Sequence, residues 1–91
     1  MLTLLWRESA REEVKGIFSY VAERNLSAAV RLQDVIMACA DRLPDHPFLY
    51  RPGRVAGTRE AVVHPNYILV YRVTAEAIEI VNVIHSRRRY P

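Results

Sequence analysis

The side chains best suited to chemistry in this 91-residue sequence gather in its last third. Residues 85–91 read His-Ser-Arg-Arg-Arg-Tyr-Pro, directly after two long runs of β-forming residues. Arginine makes forked contacts with phosphate and carboxylate groups, and histidine and tyrosine can exchange protons with a bound substrate. The segment therefore predicts a cationic edge, next to the end of a sheet, that binds a phosphate backbone or an acidic protein.

Charge is unevenly distributed along the chain. Residues 1–50 hold six Lys or Arg and seven Asp or Glu, whereas residues 51–91 hold seven Arg, no Lys and three Glu. The net charge of +3 therefore hides a slightly acidic first half and a basic second half. Because arginine suits planar anions and aromatic faces, its exclusive use here indicates a recognition surface, with an ordinary solvated basic surface as the alternative.

Composition sets the class of protein. An apolar fraction of 51% and a charged fraction of 25% are typical of a globular chain, and the length predicts one domain, residues 1–91. We expect a cytoplasmic protein, since no apolar run is long enough to cross a membrane and the start lacks signal-peptide features. The single cysteine, Cys39, is expected in the core. The three histidines lack metal-ligand spacing, so neither metal nor cofactor is expected, and His64 is read as exposed turn structure.

Hydrophobic periodicity predicts the elements of the first half. Residues 2–6 alternate as a short strand. The tetrapeptide that begins at Ser9 matches a capping box at the start of a helix, and Asn25 matches a left-handed cap at its end. Ser27 is expected to cap a second helix that Pro44 stops. Because only two residues separate the helices, they should form an antiparallel hairpin.

The second half predicts a sheet. A loop at 44–58, rich in proline and glycine, leads to strands at about 59–63, 67–73 and 77–85. The order β-α-α-β-β-β describes an α+β fold, with an N-terminal strand and a helical hairpin packed on one face of a mainly antiparallel sheet. Both faces of the last two strands are apolar. The face without helices should therefore expose aliphatic side chains to a protein partner, unless the long loop or a second copy of the chain covers it.

Arg72, in the middle of the second half, has two interpretations. Alternation places it on the same strand face as Ile68 and Val70, where a half-buried guanidinium needs an anionic or carbonyl partner. Glu60 on the neighbouring strand would supply that partner and make Arg72 structural. The alternative is a functional role. Trp6, in contrast, is expected to pack in the core.

The whole pattern resembles the RelE/ParE superfamily, the toxins of bacterial type II toxin–antitoxin modules. The resemblance rests on the strand and helical hairpin, on Gly-Arg-Val-Ala-Gly-Thr-Arg-Glu at 53–60, on Tyr-Ile-Leu-Val-Tyr-Arg-Val at 67–73 and on the segment 85–91. It covers essentially the entire chain. It implies the same α+β fold and a cognate antitoxin, ParD-like or RelB-like, that wraps the toxin and carries the contact with operator DNA.

RelE-like members of the superfamily cut mRNA in the ribosome. Their reaction needs the 2′-hydroxyl deprotonated, the pentavalent phosphate stabilised and the leaving 5′-oxygen protonated. The matching catalytic candidates in this sequence are Arg54, Arg72, His85, Arg87 and Tyr90. The absence of lysine from the second half argues against this branch.

ParE-like members inhibit DNA gyrase by protein contact and are not nucleases. The long hairpin and the Pro/Gly loop of this chain resemble that branch more closely, so the resemblance favours a gyrase inhibitor of the kind associated with plasmid stabilisation, without catalytic residues. The expected target- or antitoxin-binding residues are Arg51, Arg54, Arg59, Arg72, Arg87, Arg89 and Tyr90. A RelE-like endoribonuclease acting on ribosome-bound mRNA is the alternative.

Overall fold

The computed structural model describes residues 2–87, so two predicted contact residues, Arg89 and Tyr90, lie outside the described residues. The elements are β1 (Thr3–Trp6), α1 (Glu8–Ala22), α2 (Leu26–Arg42), β2 (Arg51–Pro52), β3 (Thr58–His64), β4 (Tyr67–Val73) and β5 (Ala77–His85). The predicted α+β fold is confirmed, with the two-residue strand β2 as an addition. In residues 2–87, neither helix is long and apolar enough to cross a membrane.

The five strands form one sheet in the order β1-β5-β4-β3-β2. β1 runs parallel to β5, and every other neighbouring pair is antiparallel. Helix α1 packs over β5 and α2 over β3. The sheet face beneath the helices, the inner face, carries the main core, which includes Leu69, Tyr71 and Ile80, all fully buried.

The helix boundaries differ from the predicted caps. Helix α1 begins at Glu8, one residue before Ser9. The Ser9 hydroxyl donates a long hydrogen bond of 3.5 Å to the carbonyl oxygen of Val81. Asn25 is not a left-handed cap, since its φ is −159°, and it is the N-cap of α2, where its side chain accepts a hydrogen bond from the backbone N–H of Ala28. Asparagine suits both positions, and the compact turn requires a cap for the helix that follows.

Helix α2 is the more deeply buried of the two helices. Its buried residues recur every three or four positions, as one face of a helix requires, and are Ala29, Leu32, Ile36, Cys39 and Ala40. The predicted core position of Cys39 is confirmed, since only 2% of the residue is exposed. Trp6 packs against the same core, also as predicted.

The other face of the sheet, the outer face, does not expose its central aliphatic residues as the sequence predicted. Ile68, Val70 and Ile84 are 7%, 2% and 3% exposed and form a cluster of their own. Pairing places Ile68 directly opposite Ile84, so these side chains pack on each other. The exposed apolar residues that remain on this face are near its margins, with Val62 55% and Leu5 50% exposed. Charged groups therefore distinguish this face more than apolar ones do.

A tight hairpin between β2 and β3 fixes the arginines that precede β3. Gly57 has a φ of +84°, a left-handed conformation that glycine adopts without strain. A side chain at Gly53 would collide with the hydroxyl of Thr58, because the backbone N–H of Gly53 donates a 2.7 Å hydrogen bond to the carbonyl of Thr58. Both glycines are thus required to bring the start of β3 against β2.

Candidate functional site

Two ion pairs organise the outer face of the sheet. Glu60, 5% exposed, accepts hydrogen bonds from Nε and one terminal nitrogen of Arg51 at 3.2 and 3.0 Å, and from the backbone N–H of Arg54 at 3.3 Å. Glu79 is in an ion pair with Arg7 at 3.1 Å. We call this set, together with Arg72, the arginine face.

Arg72 lies between these pairs without joining either. It is opposite Thr58 on one side and Glu79 on the other, in one cross-strand row. Among residues 2–87, its Nε is the one buried side-chain nitrogen or oxygen that has no hydrogen-bond partner. An unsatisfied buried donor costs about 1–3 kcal/mol, and more when it is charged. The predicted pairing of Arg72 with Glu60 is therefore wrong, because Glu60 is occupied by Arg51 and Arg54.

A groove of about 700 Å³ lies on the opposite side of the sheet, between the helices and the far end of β4 and β5. Its polar end is a row of three rings. The ring of Tyr67 is 5.8 Å from that of His64 and 5.4 Å, edge-on, from that of His85. We call this region the histidine groove. Its helical wall comes from α1 and α2 and includes Glu13, Gly16, Ile17, Tyr20, Ala28 and Leu32.

The two histidines share one hydrogen-bonding arrangement. Nδ1 of His64 accepts from the backbone N–H of Asn66 at 3.0 Å, and Nδ1 of His85 accepts from that of Arg87 at 3.1 Å. An accepting Nδ1 carries no proton, so each neutral imidazole holds its proton on Nε2. Both rings therefore offer an Nε2–H donor, which binds an acceptor group.

Glu13 closes the sheet edge beside this groove. β1 pairs with β5 only as far as Ile80, so the next part of β5 lacks a strand neighbour on that side. One carboxylate oxygen of Glu13 accepts from the backbone N–H of Val83 and from the side-chain amide of Asn82, both at 3.0 Å. The carboxylate takes the place of a strand carbonyl and anchors α1 to the sheet.

Tyrosines join the loop before β2 to the core. The hydroxyl of Tyr71 donates to the carbonyl of Pro47 at 2.9 Å, and the Cys39 thiol lies 3.8 Å from the hydroxyl of Tyr50. Burial raises the pKa of the Cys39 thiol and that of the Tyr71 hydroxyl. Tyr50 packs against the core. Arg59 donates to the Tyr50 carbonyl at 2.6 Å, so its role in the described residues is to hold this loop.

Residues 4–90 match the sequence model of a family described as the ParE toxin of the type II toxin-antitoxin system, parDE. The chain belongs to the ParE toxin family. The superfamily predicted from the sequence is thereby confirmed, and the chain is a toxin of the type II toxin–antitoxin class.

One of two curated relatives of this ParE-family chain carries a RelE name. It is 32% identical over 87 residues to the putative toxin Y4kP of Sinorhizobium fredii, with 94% of this chain and 90% of the relative covered. It is 30% identical over 90 residues to toxin RelE2 of Caulobacter vibrioides, with 97% and 99% covered. Family membership therefore leaves the cellular target open.

Solved structures confirm the fold of this ParE-family chain. A chain of the chromosomal ParDE system of P. aeruginosa aligns with a TM-score of 0.81 at 21% identity, covering 93% of this chain and 96% of that one. The YoeB/ParE toxin of Agrobacterium tumefaciens aligns with a TM-score of 0.67 at 17% identity, covering 92% and 98%. At these identities the likeness establishes the hairpin-on-sheet architecture.

The site residues predicted for the ParE-family chain fall in three places. Arg51 and Arg72 lie on the outer face, with Arg54 in the adjoining hairpin, whereas Arg59 is on the inner face opposite Tyr71. The third place is the far end of β5, which holds His85 and the exposed Arg87. The row of His85 and the row of Arg72 are five residue steps apart along β4, or roughly 17 Å at 3.3 Å per residue. One active site cannot include both.

Sequence reasoning missed several residues of these surfaces. His64, expected only as exposed turn structure, proves to lie beside Tyr67 in the histidine groove. No sequence pattern singled out Glu13, and the pair of Arg7 with Glu79 spans 72 positions. These contacts depend on strand register, which alternating hydrophobicity alone does not specify. The parallel pairing of β1 with β5 is what brings Arg7 to Glu79.

Proposed function

We propose that this chain inhibits DNA gyrase by protein contact and is neutralised by a cognate antitoxin, which alone mediates binding to operator DNA. The observation that carries the proposal is the match of residues 4–90 to the ParE toxin family. The antitoxin follows from the class, since a type II toxin is paired with a protein antitoxin. The proposed site of action is the cytoplasm, where gyrase acts.

The geometry of the candidate catalytic residues supports a binding role over a nuclease role. Cleavage of RNA needs base, acid and phosphate-stabilising groups within about 3 Å of the reacting atoms. Arg72 lies on the outer face, and His85 lies roughly 17 Å along the sheet beside the histidine groove. Side chains separated by this distance are better suited to contact a broad protein surface than to act together on one scissile phosphate.

A supercoiling assay tests the target directly. Purified chain is titrated into gyrase, ATP and relaxed plasmid, and the same preparation is added to a translating extract whose mRNA is mapped by primer extension. We expect loss of supercoiling or accumulation of linear plasmid, with intact mRNA. Addition of the purified antitoxin should restore gyrase activity. Intact supercoiling together with new mRNA ends would overturn the gyrase target.

The alternative function, a RelE-like ribosome-dependent endoribonuclease, is favoured by one observation. The histidine groove presents two imidazoles on either side of Tyr67, both with the Nε2–H tautomer. Such side chains can act as acid and base on RNA. Substitution of His85 by Gln separates the functions, because cleavage would fall by about 10²-fold or more whereas gyrase inhibition would persist.

A further inference from the structure

The side chain of Arg72 has no ion-pair or hydrogen-bond partner on the arginine face within residues 2–87. Nε of Arg72 is buried and unpartnered, although Glu79 lies directly opposite it on β5 and Glu60 lies diagonally across on β3, opposite Val70. Glu79, directly opposite, is held by Arg7 at 3.1 Å, and Glu60 is held by Arg51 at 3.0 Å. In the described chain, no ion pair joins Arg72 to either carboxylate. The guanidinium of Arg72 is therefore open to an anion from another molecule.

The surroundings of Arg72 select the chemistry of that anion. A carboxylate carries one charge and matches the planar guanidinium with paired hydrogen bonds. A nucleic-acid backbone would bring a row of phosphates over the fixed carboxylates of Glu60 and Glu79, which repel it. The exposed Leu5, directly opposite Glu79 on β1, adds an apolar contact beside the charge. This combination suits an acidic peptide that carries an aliphatic side chain.

We propose that Arg72 binds an Asp or Glu carboxylate of the antitoxin. The inference rests on the proposed function and names the chemistry of one contact within it. The antitoxin is the suitable partner because neutralisation of a toxin requires a long-lived complex. Truncation of one member of a desolvated, hydrogen-bonded charge pair acts mainly on the dissociation rate. The surface that carries Arg72 should be closed in the complex and open in the free toxin.

The first experiment compares the Arg72→Gln variant with the wild-type chain in binding to the purified antitoxin, by surface plasmon resonance. The variant should bind roughly 30-fold or more weakly, mostly through faster dissociation. Arg31→Gln is the matched control, since Arg31 is exposed on α2 and its side chain donates a hydrogen bond to Ser27 within its own helix. The control removes the same charge and should keep the wild-type dissociation rate.

The free chain gives the second readout. Because Arg72 has no partner within residues 2–87, Arg72→Gln should leave the thermal unfolding midpoint unchanged or raise it. A structural arginine would behave in the opposite way, with a lowered midpoint and normal affinity for the antitoxin. That pair of results would overturn the inference.

A charge exchange identifies the partner residue. Arg72→Glu should weaken the complex further than Arg72→Gln, and one acidic-to-lysine substitution in the antitoxin should restore binding. If antitoxin affinity is unchanged in Arg72→Gln while binding of a 20-nucleotide single-stranded RNA falls, the anion is a phosphate and the inference is wrong. If the wild-type chain does not bind the antitoxin at all, the proposed function itself fails.

Discussion

The arginine face and the histidine groove solve the same local problem with different chemistry. Each depends on a glutamate that accepts two or more hydrogen bonds, Glu60 from Arg51 and Arg54, and Glu13 from Asn82 and Val83. On the arginine face the donors are mostly charged, and one guanidinium nitrogen has no acceptor. In the groove the histidines bond to backbone groups, and none of its buried side-chain nitrogen or oxygen atoms within residues 2–87 lacks a partner. The first surface leaves one buried donor open to another molecule, whereas the buried side-chain donors and acceptors of the second are satisfied within residues 2–87.

Among substitutions on the two surfaces, Glu60→Ala is expected to lower the free energy of unfolding most. The substitution removes a 5% exposed carboxylate and leaves three donors without their acceptor. We expect the free energy of unfolding to fall by about 3 kcal/mol. This value is at the low end for a buried ion pair because the Arg51 side chain is 60% exposed, so water can solvate it when the carboxylate is removed. Urea denaturation measures it. Glu12→Ala removes an exposed carboxylate paired with Lys15, and should cost about 0.5 kcal/mol or less. Equal losses would contradict the ranking.

A smaller loss is expected from Glu13→Ala in the groove. The change leaves the buried N–H of Val83 and the amide of Asn82 without an acceptor, which costs about 2 kcal/mol. Hydrogen exchange of the Val83 amide should accelerate by more than that of Leu69 in the central strand. A uniform acceleration would show that Glu13 stabilises the whole fold rather than the free edge of β5.

Alkaline pH should lower the stability of the core that supports both surfaces. Burial raises the pKa of Cys39 above 9.0 and that of Tyr71 above 10.0, their ordinary values. The unfolded chain therefore loses these protons at a lower pH than the folded chain does. The contribution of these groups to the free energy of unfolding is fully present below about pH 9 and falls as the pH rises above that value. Denaturation at pH 8 and pH 10 measures the decline. Cys39→Ala and Tyr71→Phe should each reduce it, and an unchanged pH slope in both variants would exclude these groups as its source.

The smallest effect concerns the histidines of the groove. His64 is exposed, so loss of its bond to the Asn66 N–H in His64→Ala should cost about 0.5 kcal/mol or less. The sharper measurement is the ¹⁵N chemical shift of each imidazole at neutral pH, which should report an unprotonated Nδ1 in the neutral form of His64 and His85. A protonated Nδ1 at either position would break the similarity on which the nuclease alternative depends.

Most of the fold could be predicted from the sequence because its signals are local. Alternation over residues 67–73 specified β4 to the residue, and two runs of helical periodicity specified the hairpin. The caps were placed wrongly because Ser9, Asn25 and Ser27 all suit a helix N-terminus, and sequence preference does not rank them. β2 was missed because two residues carry no periodicity.

The candidate site was less predictable, since it depends on which strands are neighbours. The arginines of the second half were interpreted as a recognition surface, yet pairing places Arg59 on the inner face and Arg72 on the outer face. The expected partner of Arg72 was a reasonable choice by strand proximity. The hairpin at Gly53 and Gly57 instead brings Arg51 and Arg54 into contact with Glu60. The hydrophobic pattern of the sequence does not predict that contact.

The shortness of β2 has a consequence for the behaviour of the chain at high concentration. A long, straight outer strand displays a row of backbone N–H and C=O groups on which other molecules can stack into aggregates. Here the outermost strand is two residues long, and one of them, Pro52, has no N–H to donate. The neighbouring loop occupies the rest of that border, with Gly53 already bonded inward to Thr58. This border of the sheet therefore offers little template for fibre growth when the chain is concentrated.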